Sequence, residues 1–295
     1  MFLKIFFIKC HERSWHFLFH FCQMNFVCFN GKMIKQQTLF TPQNRGFRYG
    51  DGIFETIKVF QGEVMLADYH FDRLFSSLSL IKINATGNLN RNDLQHNILE
   101  LCKLNNCTGS ARVRMAIYRE EENNAGFVIE ANSLNEKINL LNDEGWSIDI
   151  YPHARKSCDA FANLKSANYL PYVLAGIYAQ ENNLEECLLL NSNNKLCDAS
   201  KANIFVVLNN EIHTPALHQG CVNGVNRRFI IEELKKDGIV ARQTTINEAL
   251  LLTADEVFLS NAIADIRWVK KFRNKTYSNG FIANFYKKTF STIYR

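Results

Sequence analysis

No Cys-x-x-Cys pair occurs among the nine cysteines, and their spacing follows no regular framework. That speaks against a zinc site or a disulfide scaffold. It points instead to a reduced, cytoplasmic protein with buried thiols and no metal. A surplus of one charge is also missing. Thirty-four basic residues face 29 acidic ones, and the excess of +5 is scattered along the chain. The densest basic run, VKKFRNKTY at 269–277, reads as a solvated loop or a rim that draws in an anionic substrate, so no nucleic-acid partner is expected. Long apolar runs are absent as well. The Phe-rich opening at 1–23 is broken by Lys4, Lys9, Glu12 and Arg13 and has no small-residue cleavage site. It fits neither a signal peptide nor a bilayer span, and no membrane partner is expected.

What is present suits an ordinary globular protein. The chain has 295 residues, 47% hydrophobic and 21% charged, enough for two domains or one large core. Met24 stands directly before a strand-like NFVCFN, so residues 1–23 are expected to reflect an over-long start assignment. A surface-packed extension and a membrane-associated arm are the alternatives. Asn30-Gly31, Gln61-Gly62 and Asn209-Asn210 mark tight turns between strands. Phe71, Leu74, Phe75 and Leu78 recur at helical spacing behind Asp68, and ARVRMAIYR alternates as a half-buried strand. Strands with a few helices predict a small domain over 24–150. A second, larger domain is expected over 151–295, with its first helix starting near Ser166 and turning Leu170, Val173, Leu174 and Ile177 to the core.

Three features of that second half could carry chemistry. Lys165 leads a helical apolar pattern; its first reading is a lysine whose stem lies on the core edge while its ammonium reaches water. The alternative is a desolvated, nucleophilic amine. Asp198, between two strand-like runs, is either a turn residue or a carboxylate held for a ligand. The turn Asn223-Gly224-Val225-Asn226 opens a helix whose free N–H groups could hold an anion. Arg73, three residues after His70 on a helix, reads on its own as a solvated surface residue.

The blocks RGFRYGDGIFETIKV, HFDRL, LKSANYLPYVLA, CDASKANIFVV, TPALHQGCVNGVNRR and ADEVFLSNAIADI occur in this order, and with them the chain resembles the class IV aminotransferases of pyridoxal-phosphate fold type IV. The resemblance runs from about Phe26 to the C-terminus. It implies two α+β and α/β domains with pyridoxal 5'-phosphate in the cleft between them, and a homodimer whose partner completes the pocket. Lys165 would form the imine with the cofactor and shuttle protons. Arg73, Val225, Asn226 and Asn261 would hold the phosphate. Asp198 would face the pyridine nitrogen, Tyr169 would lie near the cofactor, and Tyr49 and Phe54 would wall the pocket. Asp198 departs from the glutamate usual in the family and is shorter by one methylene.

Within that family two reactions compete. YGDGIFET and GCVNGVNRR resemble 4-amino-4-deoxychorismate lyases, which release pyruvate and form 4-aminobenzoate. KSANY is closer to branched-chain amino acid transaminases, and Glu55 stands where some lyases have threonine. The lyase is the expected activity, the branched-chain or a D-amino-acid transaminase the alternative, and a catalytically silent binding module the reading from another class. A substrate carboxylate would need a cation, with Arg114 and Arg119 the candidates beside Arg45.

Overall fold

Two long strand-forming runs, 52–60 and 110–119, set up the first half of the molecule. The computed structural model describes residues 26–35, 39–87 and 89–294, so the expectation for 1–23 lies outside the described residues. Six strands form the first sheet: β1 (Phe26–Phe29), β2 (Lys32–Lys35), β3 (Gly52–Phe60), β4 (Glu63–Val64), β5 (Ser110–Arg119) and β6 (Ala125–Ser133). Their order is β2-β1-β6-β5-β3-β4, all antiparallel. The short helix α1 (Arg45–Tyr49) precedes β3, and α2 (Ala67–Leu80) and α3 (Arg91–Leu104) cover one face of the sheet. Ile53, Ile57 and Val59 of β3 and Val113, Met115 and Ile117 of β5 pack there against Phe71, Leu74 and Leu78 of α2 and Leu94, Ile98 and Leu101 of α3. Fully burying each such side chain is worth about 1.5–3 kcal/mol. The opposite face of this sheet looks towards the second half.

Next come β7 (Trp146–Lys156), α4 (Leu170–Glu181), β8 (Glu186–Asn191), β9 (Leu196–Ala199), β10 (Asn203–Leu208) and β11 (Glu211–Pro215). They are followed by α5 (Val225–Lys236), β12 (Ala241–Thr244), α6 (Glu248–Thr253), β13 (Glu256–Asn261), β14 (Asp265–Phe272), β15 (Lys275–Thr276) and α7 (Gly280–Thr289). The nine-stranded second sheet runs β12-β11-β10-β13-β14-β7-β8-β9, with β15 paired to β14. It mixes parallel and antiparallel pairs. Both faces of its centre are covered, so β10 and β13 are buried along nearly their whole length rather than on alternate residues. Val257 and Leu259 of β13 enter one core. Phe258 enters the other, stacked on Phe205 and packed with Ile230 and Leu234 of α5 and Ile282 and Phe285 of α7.

Two expectations change here. β7 spans residue 150 and pairs with β8 and β14 of the second sheet, so the crossing between halves falls within 134–145, ahead of Trp146. Helix α4 begins at Leu170, not near Ser166, because Pro171 fits only its first turn. Its orientation is also reversed: Tyr172, Ala175 and Ala179 face the core, while Leu170, Val173, Leu174 and Ile177 are 39–66% exposed.

Candidate active site

Lys165 belongs to the segment that links β7 to α4, and backbone bonds to the first sheet hold that segment. Phe54 N–H donates to the Lys165 carbonyl at 2.9 Å, and Ala167 N–H donates to the Gly52 carbonyl at 2.9 Å. Ile53 and Ser166 pair between them as an antiparallel bridge. Glycine is required at 52, since a Cβ there would sit 2.2 Å from the Ile117 carbonyl oxygen of β5. The lysine is thereby aimed into the cleft between the sheets.

Around its Nζ stand aromatic faces and cations. The Phe54 ring centroid is 4.4 Å away and that of Tyr169 5.4 Å. Phe54 and Tyr169 meet edge to face, and Tyr169 stacks on Tyr172 at 4.2 Å. Arg114 lies over the same Phe54 ring, 4.6 Å from its centroid. Burial and then the charge of Arg73 pull the Lys165 ammonium down to about 7, against Glu55 and Asp198, which favour its charged form. A free amine near neutral pH is the form that attacks a carbonyl carbon.

On one side of Lys165 is an anion cup. Arg73 of α2 is buried, contrary to its reading as a surface residue, and donates through Nε and Nη2 to Glu55 at 2.8 and 2.5 Å. Glu55 also contacts Nδ1 of the buried His70 at 2.7 Å. Burial favours the neutral acid at Glu55, but Arg73 and His70 outweigh it and hold the carboxyl at about 2. This fixed anion braces Arg73, whose Nη1 reaches the Asn223 carbonyl at 3.0 Å, in the turn before α5. Helix α5 starts at Val225 and Asn226, both buried, behind Gly224, and no side chain caps it. A Cβ at Gly224 would sit 1.9 Å from Oδ1 of Asn203, so the turn closes only on glycine. Ser260, paired across the strands with Asn203, keeps a buried hydroxyl without a partner among the described residues. An arginine, uncapped N–H groups and a spare hydroxyl make a donor set that fits a phosphate.

On the other side is the acid. Asp198 of β9 accepts from Tyr172 Oη at 2.8 Å, Asn203 Nδ2 at 2.8 Å, Val222 N–H at 2.8 Å and Lys156 Nζ at 3.2 Å. Asn203 also donates to the Val222 carbonyl at 2.9 Å, which ties the acid to the turn that leads into the cup. Amine, cup and carboxylate together fit pyridoxal phosphate: an aldehyde partner, a phosphate seat and an anion for a ring nitrogen.

The other expected site residues divide. Phe54, Tyr169 and Arg114 gather round Lys165. Asn261 ends β13 with its Oδ1 accepting from Ile263 and Ala264 N–H, so it shapes the turn beside Ser260. Tyr49 stays exposed at the end of α1, under the guanidinium of Arg45. Arg119 does not join the cleft, because its donors are spent on Asp51, Asn123 and the carbonyls of Ile81 and Lys82. Lys156, Tyr172 and Asn203 were not singled out in the sequence. Nothing in their spacing marks them; only the fold brings them to Asp198.

The chain is similar to known proteins along most of its length. A family model described as amino-transferase class IV matches residues 52–272. The chain is 29% identical over 262 residues to the aminodeoxychorismate lyase of Bacillus subtilis (strain 168), covering 85% of this chain and 87% of that protein. It is 27% identical over 270 residues to a putative branched-chain-amino-acid aminotransferase of Methanocaldococcus jannaschii, covering 89% and 93%. Its fold matches a branched-chain amino acid aminotransferase of T.th. solved with pyridoxamine 5'-phosphate. The TM-score is 0.80 at 19% identity, over 92% of this chain and 94% of that one.

Proposed function

The chain belongs to the class IV aminotransferases, which are pyridoxal-phosphate enzymes, and from that premise we propose that it is a 4-amino-4-deoxychorismate lyase acting in the cytoplasm. The observation that carries this reading is the likeness to the Bacillus subtilis lyase along most of both chains. The GCVNGVNRR turn, which forms the floor of the anion cup, supports it further.

Arg73 and the start of α5 would hold the cofactor phosphate, Asp198 would face the ring nitrogen, and Lys165 would meet the aldehyde. When bound, the cofactor supplies an imine-forming carbonyl and a ring that accepts electrons from the substrate carbon. Lys165, whose neutral amine is populated as pH rises through about 7, takes the proton from the carbon that bears the substrate amine. Phe54 and Tyr169 keep water from that amine with their ring faces. Asp198, held by four donors, keeps its place opposite the ring. In the lyase, loss of pyruvate follows and leaves an aromatic product.

We also propose a homodimer. Leu170, Val173, Leu174 and Ile177 form a contiguous apolar strip on α4, and Tyr49 and Phe47 add aromatic surface at α1. A second copy is the natural cover for such a strip. The branched-chain transaminase is the second reading, favoured by KSANY beside Lys165 and by the archaeal relative.

The deciding experiment incubates the holoenzyme with aminodeoxychorismate and, separately, with branched-chain amino acids plus 2-oxoglutarate. Release of 4-aminobenzoate and pyruvate without transamination is expected. Transamination without 4-aminobenzoate would reject the lyase.

A further inference from the structure

Strand β7 reaches the acid of the cleft by an irregular route. It pairs with β8 from Ile148 to Ile150 and again at Arg155 and Lys156, with a bulge between the two stretches. The second stretch sets Lys156 opposite Asn191 of β8, while Leu189 of the same strand lies opposite Asp198 of β9. Lys156 is thereby brought across β8 to the buried carboxylate. Its Nζ lies 3.2 Å from Asp198 Oδ2, and its side chain is 10% exposed. The same ammonium donates to the Ala162 carbonyl at 2.7 Å, three residues before Lys165, and stands 5.3 Å from the ring centroid of Tyr172. The four donors on Asp198 are unevenly divided. Oδ2 takes Tyr172 Oη, Val222 N–H and Lys156, whereas Oδ1 takes Asn203 alone. A carboxylate oxygen has about two lone-pair sites, so Oδ2 is full and one place is left on Oδ1. Only Lys156 among these donors carries a charge, and a cation at 3.2 Å offsets much of the field of a buried carboxylate.

We infer that Lys156 is a positioning residue that shares the charge of Asp198 with the cofactor. The place left on Oδ1 falls to the ring nitrogen, which meets a carboxylate already partly neutralised and holds a proton less firmly than an unshared acid would make it. Through Ala162 the same ammonium also ties the acid to the segment that carries Lys165, so one side chain registers both groups. A ring that holds its proton less firmly draws electrons less strongly. Loss of pyruvate is pulled by formation of an aromatic ring and asks less of that electron sink than transamination does, so Lys156 favours the lyase. The inference rests on Asp198 facing the ring nitrogen; it deepens the lyase reading without depending on it.

The test is nitrogen NMR of the holoenzyme loaded with pyridoxal phosphate labelled at the ring nitrogen, whose chemical shift reports ring protonation at a fixed pH. Lys156→Gln keeps a donor for Asp198 and drops the charge. Its signal is expected to move towards the pyridinium position, with the proton affinity of the ring nitrogen raised about tenfold. Lys156→Met should move it the same way and decides the matter if the glutamine variant does not load. Lys156→Arg keeps the charge and is expected to stay near the wild-type position. No movement in the uncharged variants, or an equal movement in Lys156→Arg, overturns the proposal, because a purely structural lysine would give one or the other. Asp198→Asn separates the two readings. It should send the signal towards the neutral pyridine position, and an unchanged signal rejects Asp198 as the acid at the ring and the role of Lys156 with it. If Asp198→Asn moves the signal and the uncharged Lys156 variants do not, the acid keeps its role and Lys156 alone loses its own.

Discussion

Lys58 of β3 and Asp265 at the head of β14 meet at 2.9 Å with both side chains buried, one from each sheet. The hydroxyl of Tyr294 bonds both, donating to Asp265 at 2.7 Å and accepting from Lys58 at 2.8 Å. Asn226 at the start of α5 donates to the Asp265 carbonyl at 2.7 Å, so this strut between halves also braces the anion cup.

Removing one partner leaves a buried charge without compensation. Lys58→Met is expected to destabilise the protein by about 3–5 kcal/mol, whereas Lys58→Met with Asp265→Asn should cost clearly less. Urea unfolding of the two variants checks this. Equal stabilities would show that the pair is not coupled.

Lys165 gives a pH signature. Its folded value of about 7 lies below the ordinary lysine value of 10.5, so the neutral amine is populated above about pH 7. Imine formation from apoprotein and pyridoxal phosphate should accelerate as pH rises through about 7 and level off above it. Lys165→Ala should form no borohydride-reducible imine. The linkage sign follows from the same depression: apoprotein stability is fullest above 10.5 and falls away as pH drops towards 7. Lys165→Met removes that slope, and pH-dependent denaturation shows whether it does.

Glu55 acts on the acid side. Its folded value is about 2 against an ordinary 4.5, so its contribution is complete above 4.5 and is lost as pH falls towards 2. The shift corresponds to about 3 kcal/mol. Glu55→Gln should flatten the acid limb of the stability curve and also weaken phosphate binding, because Arg73 loses its brace. A steep acid limb retained in the variant would count against the brace.

Much of the fold is legible in the sequence, and the reasons differ from element to element. Asn30-Gly31 and Asn209-Asn210 turn with positive φ at both residues, as short hairpins demand, and asparagine and glycine tolerate that geometry. Strand β5 follows from its alternation, and helix α2 from the spacing of Phe71, Leu74, Phe75 and Leu78. Arg73 was hidden because its partner Glu55 is 18 residues away on another element, and helical spacing cannot report that. The four donors on Asp198 were hidden for the same reason. Helix α4 misled because the pattern fixes which residues share a face but not whether that face meets the core or another molecule.

That exposed face supplies the last prediction. Leu174→Glu on α4 places a charge in the apolar strip without touching the core, so the folded monomer should keep its unfolding free energy to within about 0.5 kcal/mol. Sedimentation should shift from dimer to monomer. A variant that still sediments as a dimer would place the interface elsewhere.

The two backbone bonds between Gly52–Phe54 and Lys165–Ala167 carry a consequence for engineering. They make the Lys165 amine joint property of both halves, so the second half is not a portable module. A chimera that takes its opening strands from a distant relative inherits a different pitch for the lysine, even with every cofactor-facing side chain preserved.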